Sequence, residues 1–264
     1  MSPCDVNMTE DTQTVTKKQS VLWTLPPSWL GVRGGISDTS DGILAWGRAG
    51  ESNVRKARLA WAKKAGLRPQ ACVTLDQVHG NRVHRVLTSD AGSGFLNPEE
   101  RIASCDGQIT NLEGIVLITS HADCAPLYLY HKKSRTIGLV HAGWRGTLAG
   151  IAALAVAKMS KEFLVAPSDV EVAVGPMITT RSYVVGNDVA TDFQRKFGGS
   201  VVTNFGGRPH LDIFACLIID LLRAGVTSAR HSLRPPDTYS DNCWSSFRRD
   251  GDKAGGMLAF ISIT

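Results

Sequence analysis

Residues 114–146, GIVLITSHADCAPLYLYHKKSRTIGLVHAGWRG, decide how this chain is read. Three apolar runs of strand length, 114–120, 125–130 and 136–140, stand between two short breaks, His121–Cys124 and the basic turn His131–Arg135. Near-continuous apolar runs of this length, rich in β-branched residues and bounded by turn signals, predict buried strands. Residues 144–163 then place Leu148, Ile151, Ala152, Ala155 and Met159 on one face, which predicts a single helix of about five turns.

Working outward, Val170–Val174 is a strand ending at Gly175-Pro176, Asn187–Phe197 and Leu211–Ala224 are helices, and Met257–Ile263 closes the chain as a strand. On the other side, Val21–Leu25 is a short strand and Gly31–Asp41 (GVRGGISDTSD) reads as a glycine-rich loop. Asn53–Ala65 is an amphipathic helix, and 88–104 is a polar loop. Cys72–Val78 and Arg82–Val86 are strands about the turn His79-Gly80-Asn81. The polar residues 1–20 are expected to be a disordered tail, followed by one compact domain over 21–264. Strands and helices mix without strict βαβ alternation, so the expected class is α+β with mixed sheets.

Composition narrows the function. The 264 residues are 43% hydrophobic and 20% charged, with a net charge of +5 carried by scattered doublets such as Lys63-Lys64 and Arg248-Arg249. Scattered pairs are a solvated surface, so no nucleic-acid partner is expected; the balance is compatible with an anionic small substrate. No apolar run reaches the length of a membrane span, and the first twenty residues lack a secretory h-region. Six widely spaced cysteines without a CxxC pair suit a reducing compartment, and a cytoplasmic location is expected.

Three of the segments carry chemistry. His79, Cys124 and His141 each stand at the end of an apolar run beside Gly or Pro, where a scaffold can present side chains to a shared cleft. Two imidazoles and a thiolate suit zinc with one open position, the catalytic pattern. Copper fits less well. No Met lies in these segments, and seven His without a His-x-His pair are too few for a trinuclear copper cluster. The same atoms also allow a metal-free Cys124 nucleophile, with His79 or His141 as base and Asp123 or Gln77 orienting the imidazole. Arg145, at the start of the predicted helix, either turns outward to a carboxylate or completes a phosphate or carboxylate pocket; Arg33 and Arg248 are further anion ligands. Asp106 reads as a turn residue, and Trp144 as packing.

With these residues assembled, the chain resembles the YfiH family, also called the laccase-domain or polyphenol-oxidase-like family, over most of 30–264. The anchors are Arg33-Gly34-Gly35-Ile36-Ser37, Gln77-Val78-His79-Gly80, Ala122-Asp123-Cys124-Ala125-Pro126, His141-Ala142-Gly143-Trp144-Arg145-Gly146, Gly175-Pro176 and Ser246-Phe247-Arg248-Arg249-Asp250. The resemblance implies packed mixed sheets with outer helices and puts the zinc ligands on His79, Cys124 and His141. It implies phosphate-dependent cleavage of purine nucleosides (adenosine, inosine, guanosine or methylthioadenosine), with adenosine deamination alongside. Asp123 and Arg145 are then expected at the reaction, and Arg33 and Arg248 at the substrate. Some bacterial members resemble amidases that edit a peptidoglycan precursor. A non-catalytic binding protein of the same fold is the third reading. Departures fall in the loops: Arg181-Ser182-Tyr183-Val184-Val185 replaces a Cys-Cys-Tyr-Glu-Val run, and Ile43-Leu44-Ala45-Trp46 replaces Ser-Leu-Asn-Leu. Nothing in the sequence sets the oligomeric state.

Overall fold

A computed structural model describes residues 23–264; the expected tail lies outside the described residues. The elements in order are β1 (Trp23–Thr24), β2 (Val32–Ile36), α1 (Glu51–Lys64), β3 (Cys72–Thr74), β4 (Val83–Arg85), β5 (Gly107–Thr110), β6 (Val116–His121), β7 (Ala125–His131) and β8 (Thr136–Ala142). They continue with α2 (Trp144–Leu148), α3 (Ile151–Phe163), β9 (Glu171–Val174), α4 (Asn187–Phe197), β10 (Val202–Phe205), β11 (Arg208–Leu211), α5 (Ile213–Arg223), α6 (Phe247–Asp250) and β12 (Met257–Ile263). The class is α+β.

Two five-stranded mixed sheets form the centre, one ordered β1-β2-β12-β6-β3 and the other β4-β5-β8-β7-β9. The apolar runs of the middle segment are strands buried on both faces, for a definite reason. Leu127 and Leu129 of β7 pack towards α3 and α5 on the outside, whereas Tyr128 and Tyr130 point into the layer between the sheets with Leu117 and Ile261. Successive side chains of a strand face opposite ways, so a strand sandwiched between helices and a second sheet must be apolar throughout. The tyrosines keep their hydroxyls bonded by donating across the gap, Tyr128 to the Gly35 carbonyl at 2.8 Å and Tyr130 to that of Leu30 at 2.6 Å. On the far side of the first sheet α1 covers Ile118, Leu258 and Phe260 with Trp61 and Ala62. The layers therefore run α1, sheet, sheet, α3–α5.

Four expectations change. Gly31–Asp41 contains strand β2, paired with β12 from Val32 to Ile36. Its glycine signal reflects crowding: a Cβ on Gly34 would lie 2.7 Å from the Phe260 carbonyl and the Leu25 side chain. The helix expected over 144–163 is broken into α2 and α3 by Gly150, which sits at φ +80°. Leu211 ends β11, and α5 starts two residues later behind Asp212, whose carboxylate accepts from the Ala215 N–H. Finally, the strands expected over Cys72–Val78 and Arg82–Val86 are shorter, Cys72–Thr74 and Val83–Arg85; β3 and β4, on either side of the His79 turn, belong to different sheets, as do β6 and β7 flanking 122–124. Both turns thus cross from one sheet to the other at the same end of the sandwich. Among the described residues no helix is long and apolar enough to cross a membrane.

Candidate metal centre and cavity

These two crossings bring the three expected ligands together. In the β7–β8 hairpin Ala125 pairs with Ala142 and Pro126 with His141, so Cys124, one residue before β7, stands beside Gly143 and near His141. His79 comes from the other crossing. One ligating atom from each of His79, Cys124 and His141 lies within 4.8 Å of the others. The His79 and His141 rings meet edge to face at 4.9 Å. Room for this is made by missing side chains. A Cβ on Gly143 would lie 3.0 Å from the Cys124 sulfur and 3.1 Å from the His79 ring, and one on Gly146 would lie 2.6 Å from the Gly80 carbonyl.

The residue that organises the site was read from the sequence as a turn. Asp106, fully buried before β5, accepts from the backbone N–H groups of His79 (2.9 Å), Gly80 (2.7 Å) and Val78 (3.2 Å). It also binds His141 Nδ1 at 2.9 Å, and its own carbonyl accepts from the His141 N–H at 2.7 Å. One carboxylate therefore fixes the loop carrying His79 and turns His141 so that Nε2 faces the cluster, the usual carboxylate–histidine support of a metal ligand. Burial pushes the Asp106 carboxyl up, but the His141 ring and the Gly80 and Val78 N–H groups outweigh it and hold it below the usual carboxylate range. Gln77 and Asp123, expected to orient an imidazole, do not: the Gln77 amide makes two bonds to the Ser120 backbone, each 2.7 Å.

Electrostatics match a metal-binding donor set. Burial raises the Cys124 thiol, yet His141 and His79 pull it down to about 6. His141 is lowered by burial but lifted to about 9 by the Cys124 thiolate and Asp106. Thiolate and imidazolium thus hold each other charged, and a metal cation can replace the proton that His141 holds. His121 stands 5.3 Å from the His141 ring; burial and that neighbour keep it neutral. Its Nδ1 meets the Cys124 carbonyl at 3.0 Å and its Nε2 the Thr119 hydroxyl at 2.7 Å. The donor set fits a three-ligand metal centre.

The cluster lies in the wall of a cavity of about 550 Å³, which Asp123, Trp144, Arg145, Tyr183 and Arg248 also line. Asp123, at φ +82°, and His79, at φ +59°, both occupy the left-handed region that costs a non-glycine residue energy, and Asp106 supplies the compensation at His79. The Asp123 carboxylate accepts from the Thr238 hydroxyl and the Arg248 N–H, each at 2.6 Å. Both oxygens of Asp123, a residue expected at the reaction, thus hold the loops carrying Thr238 and Arg248. The Arg145 guanidinium lies over Trp144 at 4.4 Å and that of Arg248 over Tyr183 at 5.0 Å. Trp144 packs and lines the cavity at once. Arg33 is corrected: on β2 it donates to the Gly66 carbonyl and to Ser262, and it does not line the cavity. Asp106 left no local signature because its partners come from β8 and the His79 loop, brought together only by the fold.

A two-sheet α+β sandwich with a His-Cys-His cluster where both crossings meet defines a class of protein, and comparison places the chain in it. Residues 34–264 match the family described as multi-copper polyphenol oxidoreductase laccase. The chain is 33% identical over 194 residues to purine nucleoside phosphorylase YlmD of Geobacillus stearothermophilus, covering 72% of this chain and 71% of that one. It is 35% identical over 203 residues to a purine nucleoside phosphorylase of Bacteroides thetaiotaomicron, covering 74% of each. The crystal structure of YlmD from Geobacillus stearothermophilus superposes with a TM-score of 0.84 at 28% identity, covering 90% of this chain and 94% of that one. The chain belongs to this laccase-domain family, the YfiH family.

Proposed function

We propose that this chain is a zinc-dependent purine nucleoside phosphorylase. The observation that carries the reading is the convergence of His79, Cys124 and His141 on one point of an arginine-lined cavity, with a buried carboxylate behind His141. Relatives named purine nucleoside phosphorylase support the substrate class. Two neutral nitrogens and one thiolate sulfur suit zinc, which when bound supplies Lewis-acid polarisation of a substrate oxygen.

In this reading Arg145 and Arg248 hold phosphate against the ribose. A phosphate oxygen forms a bond to the anomeric carbon while the bond from that carbon to the purine nitrogen breaks. The electron pair leaves with the purine, which takes up a proton, and ribose 1-phosphate is released. Cationic guanidinium groups offset the negative charge of the attacking phosphate. Asp123 is a positioning residue that joins the 122–124 crossing to the Arg248 backbone. Adenosine deamination at the same centre is the secondary activity.

The Cys124–His141 thiolate–imidazolium pair favours one second reading, an amidase with Cys124 as nucleophile. A product-resolved assay on adenosine, inosine and methylthioadenosine, with and without phosphate, separates the two. Ribose 1-phosphate formed only with phosphate is the expected result. Turnover indifferent to phosphate would overturn the phosphorylase.

A further inference from the structure

The cavity has a second pair of cationic lining residues, Arg58 and Arg101. Arg58 of α1 is 1% exposed, and among the described residues no carboxylate lies within 4 Å of it. Its Nε donates to the Leu44 carbonyl at 2.8 Å and its Nη1 to that of Phe95 at 3.1 Å, while the guanidinium plane stacks over Trp46 at 4.5 Å. Those bonds use two of the five guanidinium N–H groups, and Arg58 lines the cavity. The neighbour that matters electrostatically is another cation. Burial first, and then Arg101, push the Arg58 guanidinium down to about 9.

Holding two loop carbonyls needs donors but no charge, and a buried guanidinium offset only by the ring faces of Trp46 and Phe95, with no carboxylate beside it, is incompletely compensated. A second arginine nearby makes the cost worse. Arg101 is only partly neutralised, by Asp76 at 3.4 Å, and also lines the cavity. The two pairs of arginines have different neighbours: Arg145 and Arg248 act on Tyr183, whereas Arg58 lies over Trp46, whose indole donates to the Gly94 carbonyl, and Arg101 packs beside Gly94. A planar, rigid fork already fixed on two carbonyls is preorganised for an oxyanion.

We propose that Arg58 and Arg101 form a phosphoryl-binding subsite in the cavity, built from residues other than Arg145 and Arg248. Its ligand is either free inorganic phosphate or a phosphate carried on the nucleoside. Linking this subsite to turnover rests on the phosphorylase reading above; the binding does not.

The test is calorimetric titration of the full chain with inorganic phosphate, adenosine 5′-monophosphate and adenosine, in wild type, Arg58→Lys, Arg101→Ala and Arg145→Ala. Arg101 is about a third exposed, so Arg101→Ala carries the test should Arg58→Lys not fold. Loss of a charge-assisted bond predicts an affinity for phosphate roughly tenfold to a hundredfold weaker in both variants if phosphate is free. A tenfold preference for the monophosphate over adenosine, abolished by Arg101→Ala and kept in Arg145→Ala, identifies a carried phosphate. Phosphate and monophosphate affinities unchanged in Arg101→Ala overturn the subsite. If ribose 1-phosphate never forms yet phosphate affinity falls in Arg101→Ala, the phosphorylase reading fails and the subsite stands. If ribose 1-phosphate forms while the affinities for phosphate and for the monophosphate are both unaltered in Arg58→Lys and Arg101→Ala, the phosphorylase reading stands and the subsite fails.

Discussion

On one side of the cavity His79, Cys124 and His141 stand at strand ends and crossings, with one buried carboxylate holding both the His79 loop and His141, whereas the wall from 177–185 and 237–250 is loop apart from the single turn α6. That second wall is held by side chains reaching into backbone. Asp237 accepts from the Thr179 N–H at 2.8 Å and the Ser182 hydroxyl at 2.6 Å, and Arg249 donates to the carbonyls of Thr238 and Trp244. Asp123 is where the walls join, its backbone carbonyl accepting from the Ile178 N–H and its carboxylate from Thr238 and Arg248. The contrast teaches that the metal side is fixed by sheet register and cannot be varied piecemeal. The loop side is fixed by replaceable polar contacts, and it contains the run 181–185 where the sequence leaves the family pattern.

Breaking the strand side has the larger effect. Asp106→Asn removes the charge that four donors share, so it is expected to destabilise the fold by about 3 kcal/mol and weaken metal binding roughly tenfold to a hundredfold. Denaturant unfolding and metal titration check this; a stability loss below about 1 kcal/mol would mean that the loops do not depend on Asp106. Asp123→Asn, at the junction, is expected to cost about 1–2 kcal/mol and to lower turnover while leaving metal affinity within about threefold. Equal losses of metal from both variants would erase the distinction between the walls.

A smaller effect sharpens the comparison through pH. In metal-free protein the Cys124 thiol titrates near 6 instead of its ordinary 9.0. A depressed folded-state value stabilises fully above the unfolded value and is lost as pH falls through the folded one. Peptide-resolved iodoacetamide labelling of Cys124 should therefore rise with a midpoint near pH 6, whereas stability should stay nearly flat between pH 9 and 6, because His141, lifted to about 9, holds the proton that Cys124 gives up and its contribution runs in the opposite direction. A labelling midpoint near 9 would show that His141 and His79 do not hold the thiolate.

How much was legible follows from the same contrast. Strands β7, β8 and β12 and helices α1 and α4 were readable because burial on both faces, or on one helical face, leaves a periodicity in the residues themselves. The ligand triad was readable because each member follows an apolar run at a tight turn. That β6 and β7 lie in different sheets was not readable, since a turn between two apolar runs looks the same whether it closes a hairpin or crosses a sandwich. Asp106 and Arg58 were hidden for a related reason: their roles depend on partners 14 to 37 residues away, which composition does not reveal. Arg33 misled because a glycine-flanked arginine suggests an anion loop, while Gly34 is there to let β2 pack under Phe260.

The most direct test of the central claim is the metal content of the purified chain, measured by elemental mass spectrometry beside that of Cys124→Ser. About one zinc per chain in the wild type, and little in the variant, is the predicted result. A folded wild-type protein that holds no zinc after loading, or a Cys124→Ser variant that holds as much, would contradict it.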